Sequence, residues 1–120
     1  LGNLYFREDK IKKPETKLKC TPIRKNMGWC DDVKSKKFYN KLISTKQKVR
    51  HEKLYRKDFK YNLLIPISYN SNPIRLGDGS GIFLHLTKNY KATAGCIVLK
   101  EKDLLILLKL INNKTKIQIN

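Results

Sequence analysis

The chain has 120 residues, a length that suits one domain with a modest core and leaves no room for a second. Its 27 Lys and Arg residues against 10 Asp and Glu residues give a formal net charge of +17. No apolar stretch approaches the roughly 20 residues of a membrane-spanning helix. We therefore expect residues 1–120 to form a single domain without a membrane span.

The positive charge is spread along the chain and is densest between Lys10 and Lys60. Such a balance is typical of proteins that bind polyanions, and nucleic acid is the first candidate. Many of the Lys residues, however, stand among Asn and Ile, as AT-rich coding sequence produces. The chain also has no helix-turn-helix spacing and no zinc pattern. We therefore expect no nucleic-acid partner.

The N-terminal half is predicted to be mostly irregular. Residues 1–6 have strand character, residues 7–19 are charged and contain a proline, and residues 21–24 are extended because of Pro22. Residues 27–32 contain Trp29, the only Trp, beside two acids. A loop that Trp29 pins into the core explains this segment, although its ring could also form the wall of a substrate site.

Residues 31–53 show little periodicity, which predicts long loops with at most a short helix. Within them, His51 and Glu52 are interpreted as a surface pair, with a substrate contact as the alternative. Residues 54–59 suggest a short helix or turn leading into a strand over residues 61–69. Pro66 in that strand favours an edge position or a bulge.

Two short apolar runs in the C-terminal half carry the candidate chemistry. His85 lies in the first run, residues 81–86, and Cys96 begins the second, residues 96–99. The runs have strand length, so the two side chains would lie on rigid neighbouring strands joined by a polar loop that contains Tyr90. A cysteine with a nearby base and an oxyanion site can act as an acyl-transfer nucleophile. Gly95 would let backbone N–H groups approach a developing oxyanion.

A structural interpretation of each residue is also available. Free cysteine is among the most buried residue types, and a single Cys/His pair is a weak signal by itself. The count of three cysteines is odd, so a Cys20–Cys30 disulfide would leave Cys96 unpaired. Two reduced thiols at Cys20 and Cys30 are at least as consistent with the sequence. No Cys-x-x-Cys pair suggests a structural zinc site.

The last third of the chain is predicted to contain one helix and one strand. Leu and Ile recur at intervals of three and four over residues 101–112, with acids at the start and Lys109 near the end. Residues 114–119 alternate polar residues with Ile, which favours a half-buried strand. The fold class is accordingly mainly β with one or two helices.

The stretch around His85 and Cys96 resembles the YkuD-type L,D-transpeptidase catalytic domain. That family carries a His in an apolar strand, a spacer, and a Ser/Thr-His-Gly-Cys turn followed by an apolar residue and Arg. The matching residues are His85, Thr93, Gly95, Cys96 and Ile97.

Two positions depart from this pattern, since Ala94 replaces the second His and Val98 replaces the Arg. The departures fit a proteobacterial branch with an x-Gly-Cys turn. The match extends from about Thr21 to the C-terminus and includes these upstream segments: Gly28-Trp29-Cys30-Asp31-Asp32, His51-Glu52-x-Leu54, Tyr69-Asn70 and Gly79-Ser80.

The resemblance implies a mixed β-sheet or sandwich with a helix packed on it, and peptide cross-linking in peptidoglycan through a cysteine acyl-enzyme. Cys96 would be the nucleophile and His85 the base, its ring held by the backbone carbonyl of Leu86. The implied oxyanion and substrate-binding residues, besides Leu86, are Gly95, Thr93, Trp29, His51 and Tyr90. Neither metal nor cofactor is implied.

The partner that the resemblance implies is the stem peptide of peptidoglycan, in the periplasm or cell envelope. The family domain normally begins several strands earlier, so we expect an N-terminally incomplete chain whose export signal lies elsewhere. Three alternatives stay open. One is an L,D-carboxypeptidase that trims stems, the second is a non-catalytic wall-binding module, and the third is a nucleic-acid-binding protein indicated by charge alone.

Overall fold

The computed structural model describes residues 1–70, 73–88 and 96–118. Within these residues the protein is mainly β with one helix, which confirms the predicted class. Its elements in chain order are β1 (Leu4–Phe6), β2 (Cys20–Pro22), β3 (Met27–Cys30), β4 (Leu42–Ser44), β5 (His51–Lys53), β6 (Leu63–Pro66), β7 (Phe83–Leu86), β8 (Ile97–Leu99) and α1 (Glu101–Leu110).

A five-stranded mixed sheet forms the centre of the fold, with the strand order β2-β1-β6-β7-β8. β1 and β2 are parallel, as are β7 and β8, while β6 is antiparallel to both of its neighbours. β6 is thus the middle strand, and the predicted edge position for Pro66 is wrong. Pro66 is the last residue of β6, where its missing N–H interrupts little of the ladder.

The predicted pairing of the strands around His85 and Cys96 is confirmed. β7 and β8 are parallel neighbours in which Leu84 lies opposite Ile97 and His85 lies opposite Val98. Parallel strands cannot be joined by a two-residue hairpin.

A second sheet of three antiparallel strands has the order β4-β3-β5. The predictions of a loop over residues 27–32 and of long loops with at most a short helix over residues 31–53 are therefore wrong in part. Each of these strands has only three or four residues, too few for a periodic pattern to emerge. β4 and β5 are stabilised by backbone pairing with β3, a long-range contact that the local sequence does not reveal.

Two apolar clusters lie on opposite faces of the five-stranded sheet. The helix-side cluster includes Leu84 and Leu86 of β7 together with Leu104 and Leu108 of α1. The predicted helix is confirmed over most of its length and packs through these leucines. The second cluster lies toward the three-stranded sheet and contains Phe83.

The strand predicted over residues 114–119 is wrong for the part that the structure describes. Residues 113–114 form a turn and residues 115–118 are irregular. The alternating Ile pattern still has a physical basis, because Ile117 packs against the helix-side cluster. Residues 115–118 pair with no strand among the described residues, and the backbone carbonyl of Thr115 instead accepts a hydrogen bond from the backbone nitrogen of Leu1 at 3.2 Å.

Candidate active site

His85 lies on the face of β7 that is turned toward the three-stranded sheet. Side chains alternate along a strand, and Leu84 and Leu86 both pack in the helix-side cluster. Phe83 and His85 therefore share the opposite face, and Phe83 indeed packs in the second cluster. The imidazole is buried, with 7% of its residue surface exposed.

Cys96 lies on the same face of the sheet, directly before the neighbouring strand β8. Ile97 and Leu99 pack against the helix-side cluster, whereas Cys96 packs against the second cluster beside Phe83. Since His85 is opposite Val98, Cys96 is one side-chain step away from His85 along the adjacent strand. Strand geometry puts such diagonal neighbours about 8 Å apart at their Cα atoms, within reach of a thiol and an imidazole that lean toward each other.

The ring of His85 is held through one nitrogen. Its Nδ1 donates to the carbonyl oxygen of Leu86 at 3.0 Å. Because a carbonyl only accepts, Nδ1 carries the proton in this arrangement and Nε2 keeps a lone pair. Burial lowers the pKa of His85 below 6.5, and the Leu86 hydrogen bond offsets only part of this effect. The imidazole is therefore neutral at pH 7 and able to accept a proton.

The thiol of Cys96 is held in its protonated form. Burial is the main cause that raises its pKa, and the charge of Glu52 adds to it, while a backbone hydrogen bond from Phe83 acts in the opposite direction. The Sγ atom also donates to the carbonyl oxygen of Gly81 at 3.4 Å. A neutral thiol needs a base, such as a neutral imidazole, to take its proton when the sulfur attacks.

Trp29 lies between the two sheets. Its ring meets Phe83 edge to face, with 5.2 Å between ring centroids and an interplanar angle of 89°. Its Nε1 donates to Oδ1 of Asn40 at 3.0 Å. Trp29 thus belongs to the same apolar cluster as Cys96, on strand β3 and not on the predicted loop.

Asn40 connects three segments around this cluster, and sequence reasoning missed it. Its Oδ1 accepts from Trp29 Nε1 and from the backbone N–H of Gly81 at 3.2 Å. Its Nδ2 donates to the carbonyl oxygens of Tyr69 at 3.0 Å and Asn70 at 2.8 Å. Asn40 also adopts a positive φ of 57°. The sequence signal for Asn40 was weak, because Asn tolerates a positive φ but is also common in ordinary turns.

His51 does not share the face that contains Cys96. Adjacent residues of β5 point to opposite faces, and Glu52 bonds to Tyr61 on the side of the five-stranded sheet. His51 therefore lies on the other face, where Gly28 is adjacent and Nδ1 is 2.8 Å from the carbonyl oxygen of Val49. The structure brings His85, Leu86 and Trp29 to the Cys96 region, but not the His51 ring.

Tyr90, Thr93 and Gly95 fall outside the described residues. Their predicted roles at the oxyanion and substrate sites stay predictions.

The question of the disulfide is answered by the positions of Cys20 and Cys30. Cys20 is on β2 of the five-stranded sheet, Cys30 is on β3 of the other sheet, and no bond joins them.

Across residues 1–70, 73–88 and 96–118, no three His, Cys, Asp or Glu side chains gather as a metal site would require. In the same residues, no helix has the length and apolar character to cross a membrane.

A thiol and an imidazole on one face of a sheet are side chains of the two types that thiol-based acyl transfer uses. Comparison with known families is more specific, because the L,D-transpeptidase catalytic domain model, YkuD, matches residues 2–119. The chain belongs to this family of enzymes, which act on the peptides of peptidoglycan. No curated protein and no solved structure matches the chain.

Proposed function

We propose that this protein cross-links peptidoglycan stem peptides through an acyl-enzyme on Cys96. The observation that carries the proposal is the position of Cys96 and His85 on one face of parallel neighbouring strands, with the His85 ring held by Leu86. Family membership supports the reaction class. The named residues and the steps below are our proposal.

In the first step, Sγ of Cys96 attacks a stem-peptide carbonyl on the carboxyl side of an L-centre. Nε2 of His85 accepts the thiol proton as the carbon–sulfur bond forms. The imidazolium then returns this proton to the nitrogen of the following D-residue as the peptide bond breaks, which leaves a thioester on Cys96. The low pKa of His85 makes the imidazole available as a base even in mildly acidic surroundings.

In the second step, an amine of diaminopimelate on another stem attacks the thioester. His85 takes a proton from that amine, and the Cys96 sulfur leaves and regains a proton from the imidazolium. The products are a new peptide bond and the free thiol. Water in place of the amine would give an L,D-carboxypeptidase, which is the alternative that uses the same acyl-enzyme.

Other residues are proposed to bind the substrate and stabilise charge. The N–H groups of Gly95 and Cys96 form the oxyanion site, and Thr93 and Tyr90 border the cleft. Trp29 supplies an apolar wall, supported by its packing in the same cluster as Cys96. His51 would contact substrate only from the far face of the three-stranded sheet, where its ring lies. The reaction would take place in the periplasm or cell envelope, where the substrate is found.

The proposal can be tested with purified stem peptides and intact-protein mass spectrometry. We expect a transient mass increase on the protein, equal to the acyl fragment, that Cys96→Ala abolishes and Cys20→Ala preserves. Muropeptide analysis of treated sacculi then separates the two outcomes of the thioester. New cross-links indicate the transpeptidase, and shortened stems alone indicate the carboxypeptidase. Binding to sacculi without any acyl adduct would support a non-catalytic wall-binding module and overturn both.

A further inference from the structure

Tyr61 has no role in the proposed reaction, but its ring packs directly on His85. The two ring centroids are 5.3 Å apart, with an interplanar angle of 73°. The Tyr61 ring also meets Phe83 edge to face at 5.8 Å. The Leu86 hydrogen bond restrains one edge of the imidazole, and the Tyr61 ring restrains its plane.

Tyr61 is in turn held by the three-stranded sheet. Its hydroxyl donates to Oε1 of Glu52, a residue of β5. Nη1 of Arg56 lies 3.8 Å from the same oxygen, and its guanidinium stands over the Tyr61 ring at 5.0 Å. Arg56 is itself fixed by two hydrogen bonds to Asp58, of 2.9 and 2.6 Å. The contacts thus run from one sheet to the imidazole on the other.

We propose that Tyr61 is a positioning residue for the imidazole of His85, and that Glu52 holds Tyr61 in place from the second sheet. The catalytic consequence rests on the proposed function, but the contact itself does not. The phenol remains a hydrogen-bond donor at physiological pH, because burial and the Glu52 bond both raise its pKa. Tyr61 acts through His85 and is given no direct role in the chemistry.

The positioning of the His85 ring and the effect of nearby charges on its pKa can be measured separately. Glu52 raises the pKa of His85, whereas Lys60 and Arg56 lower it, and burial is the largest cause of the lowering. The other titratable side chains in this cluster are Tyr61, Cys96, Tyr5 and Tyr55. Glu52→Gln keeps an acceptor for the Tyr61 hydroxyl but removes the charge, so the pKa of His85 should fall further while the ring stays in place.

Four variants and two controls test the proposal. Tyr61→Leu removes the ring, Tyr61→Phe keeps the ring without its hydroxyl, Glu52→Ala removes the acceptor, and Glu52→Gln removes only the charge. Tyr55→Phe is the matched control for the hydroxyl, since Tyr55 donates to Asp9 at 3.4 Å. Glu8→Gln is the matched control for the charge, since Glu8 pairs with exposed Arg24.

For turnover, we expect Tyr61→Leu to lower kcat roughly tenfold to a hundredfold with little change in KM, as misplacement of a reacting group does. Tyr61→Phe and Glu52→Ala should each cause a smaller loss, and the double variant should lose no more than either single one. Additive losses would overturn the part of the proposal that assigns Glu52. Because Tyr61→Phe hardly changes the packed volume, it remains testable should Tyr61→Leu fail to fold.

A second measurement does not need turnover. The chain has two histidines, so an NMR titration in a His51→Gln background can follow the His85 ring alone. We expect Tyr61→Leu to shift the His85 ring signals and Glu52→Gln to lower the His85 pKa, with neither change in the controls. Unchanged His85 signals and pKa in all four variants would overturn the proposal. An inactive wild-type protein with the expected titration would count against the proposed function alone.

Discussion

The side chain of Asn40 is linked to the thiol of Cys96 through the backbone of Gly81. The N–H of Gly81 donates to Asn40 Oδ1 at 3.2 Å, and the carbonyl of Gly81 accepts from Cys96 Sγ at 3.4 Å. One side chain therefore sets the position of the backbone group that contacts the candidate nucleophile.

Variants at Asn40 should lose stability in a defined order. Asn40→Gly tolerates the positive φ but removes all four side-chain hydrogen bonds, so we expect a loss of about 2 kcal/mol in the free energy of unfolding. Asn40→Asp should lose more, because its second carboxylate oxygen would face the carbonyls of Tyr69 and Asn70. Urea unfolding measures both. An Asp variant as stable as the wild type would contradict the assigned amide orientation.

Cys96→Ser should abolish cross-linking and leave the fold intact. The exchange hardly changes volume, but a hydroxyl ionises far less readily than a thiol, and His85 would activate it poorly. Muropeptide mass spectrometry gives the activity, and the urea midpoint gives the stability. Cys20→Ser is the control, because Cys20 lies on β2, away from the cluster around Cys96. Full activity in the Cys96 variant would remove that residue from the mechanism.

His85→Ala should lower turnover roughly a hundredfold or more, the usual contribution of a positioned general base. In the wild type, the acid limb of the pH–rate profile should have its midpoint below pH 6.5, because burial lowers the pKa of His85. Alkylation of Cys96 near neutral pH should also slow in the variant, since the raised pKa of the thiol leaves little thiolate without the base. An unchanged alkylation rate would mean that another group accepts the proton.

The lowered pKa of His85 also predicts how the free energy of unfolding depends on pH. The folded state binds a proton at His85 less readily than the unfolded state, so the stability from the neutral ring is fully present above pH 6.5. It is lost as the pH falls from 6.5 through the lower pKa of the folded protein. We expect the free energy of unfolding to decline less steeply over this range in His85→Gln. Identical slopes in the two proteins would argue against a lowered pKa.

Trp29 should report substrate binding directly, because it is the only Trp and packs in the cluster around Cys96. In the Cys96→Ala background, which cannot turn over, we expect stem peptide to change Trp29 fluorescence in a saturable way. Trp29→Ala should raise KM about tenfold, the effect of losing one aromatic contact. Saturable binding by calorimetry without any change in fluorescence would exclude Trp29 from the site.

The binding that results from the net charge of +17 distinguishes a cell-wall enzyme from a nucleic-acid-binding protein. If the positive charge formed a nucleic-acid-binding surface, the protein would bind DNA tightly. The affinity would fall steeply with salt, since each phosphate contact releases counterions. We expect weak, sequence-blind DNA binding, and activity on wall fragments that depends on Cys96 and His85. Affinities for duplex DNA and for sacculi across a salt series provide the comparison. Sequence-selective DNA binding without sacculus binding would overturn the enzyme proposal.

Much of the region around Cys96 could be predicted from local sequence. The apolar runs of β7 and β8 have strand length, and the leucine spacing of α1 shows which face it buries. These elements form where the residues themselves have a period, since burial of one face then follows from secondary structure alone. The family resemblance extended this local information to the L,D-transpeptidase family, which the family match bears out.

The second sheet and the supports of the site were decided only by the tertiary structure. β4 and β5 have three residues each and become strands because β3 supplies their backbone partners. The contacts of Asn40 with Gly81 and of Tyr61 with Glu52 join residues that are 41 and 9 positions apart. Such hydrogen bonds depend on where the folded backbone brings two segments together, and neither side chain specifies that by itself. The sequence determined which groups could react, and packing between the sheets determined which side chains support them.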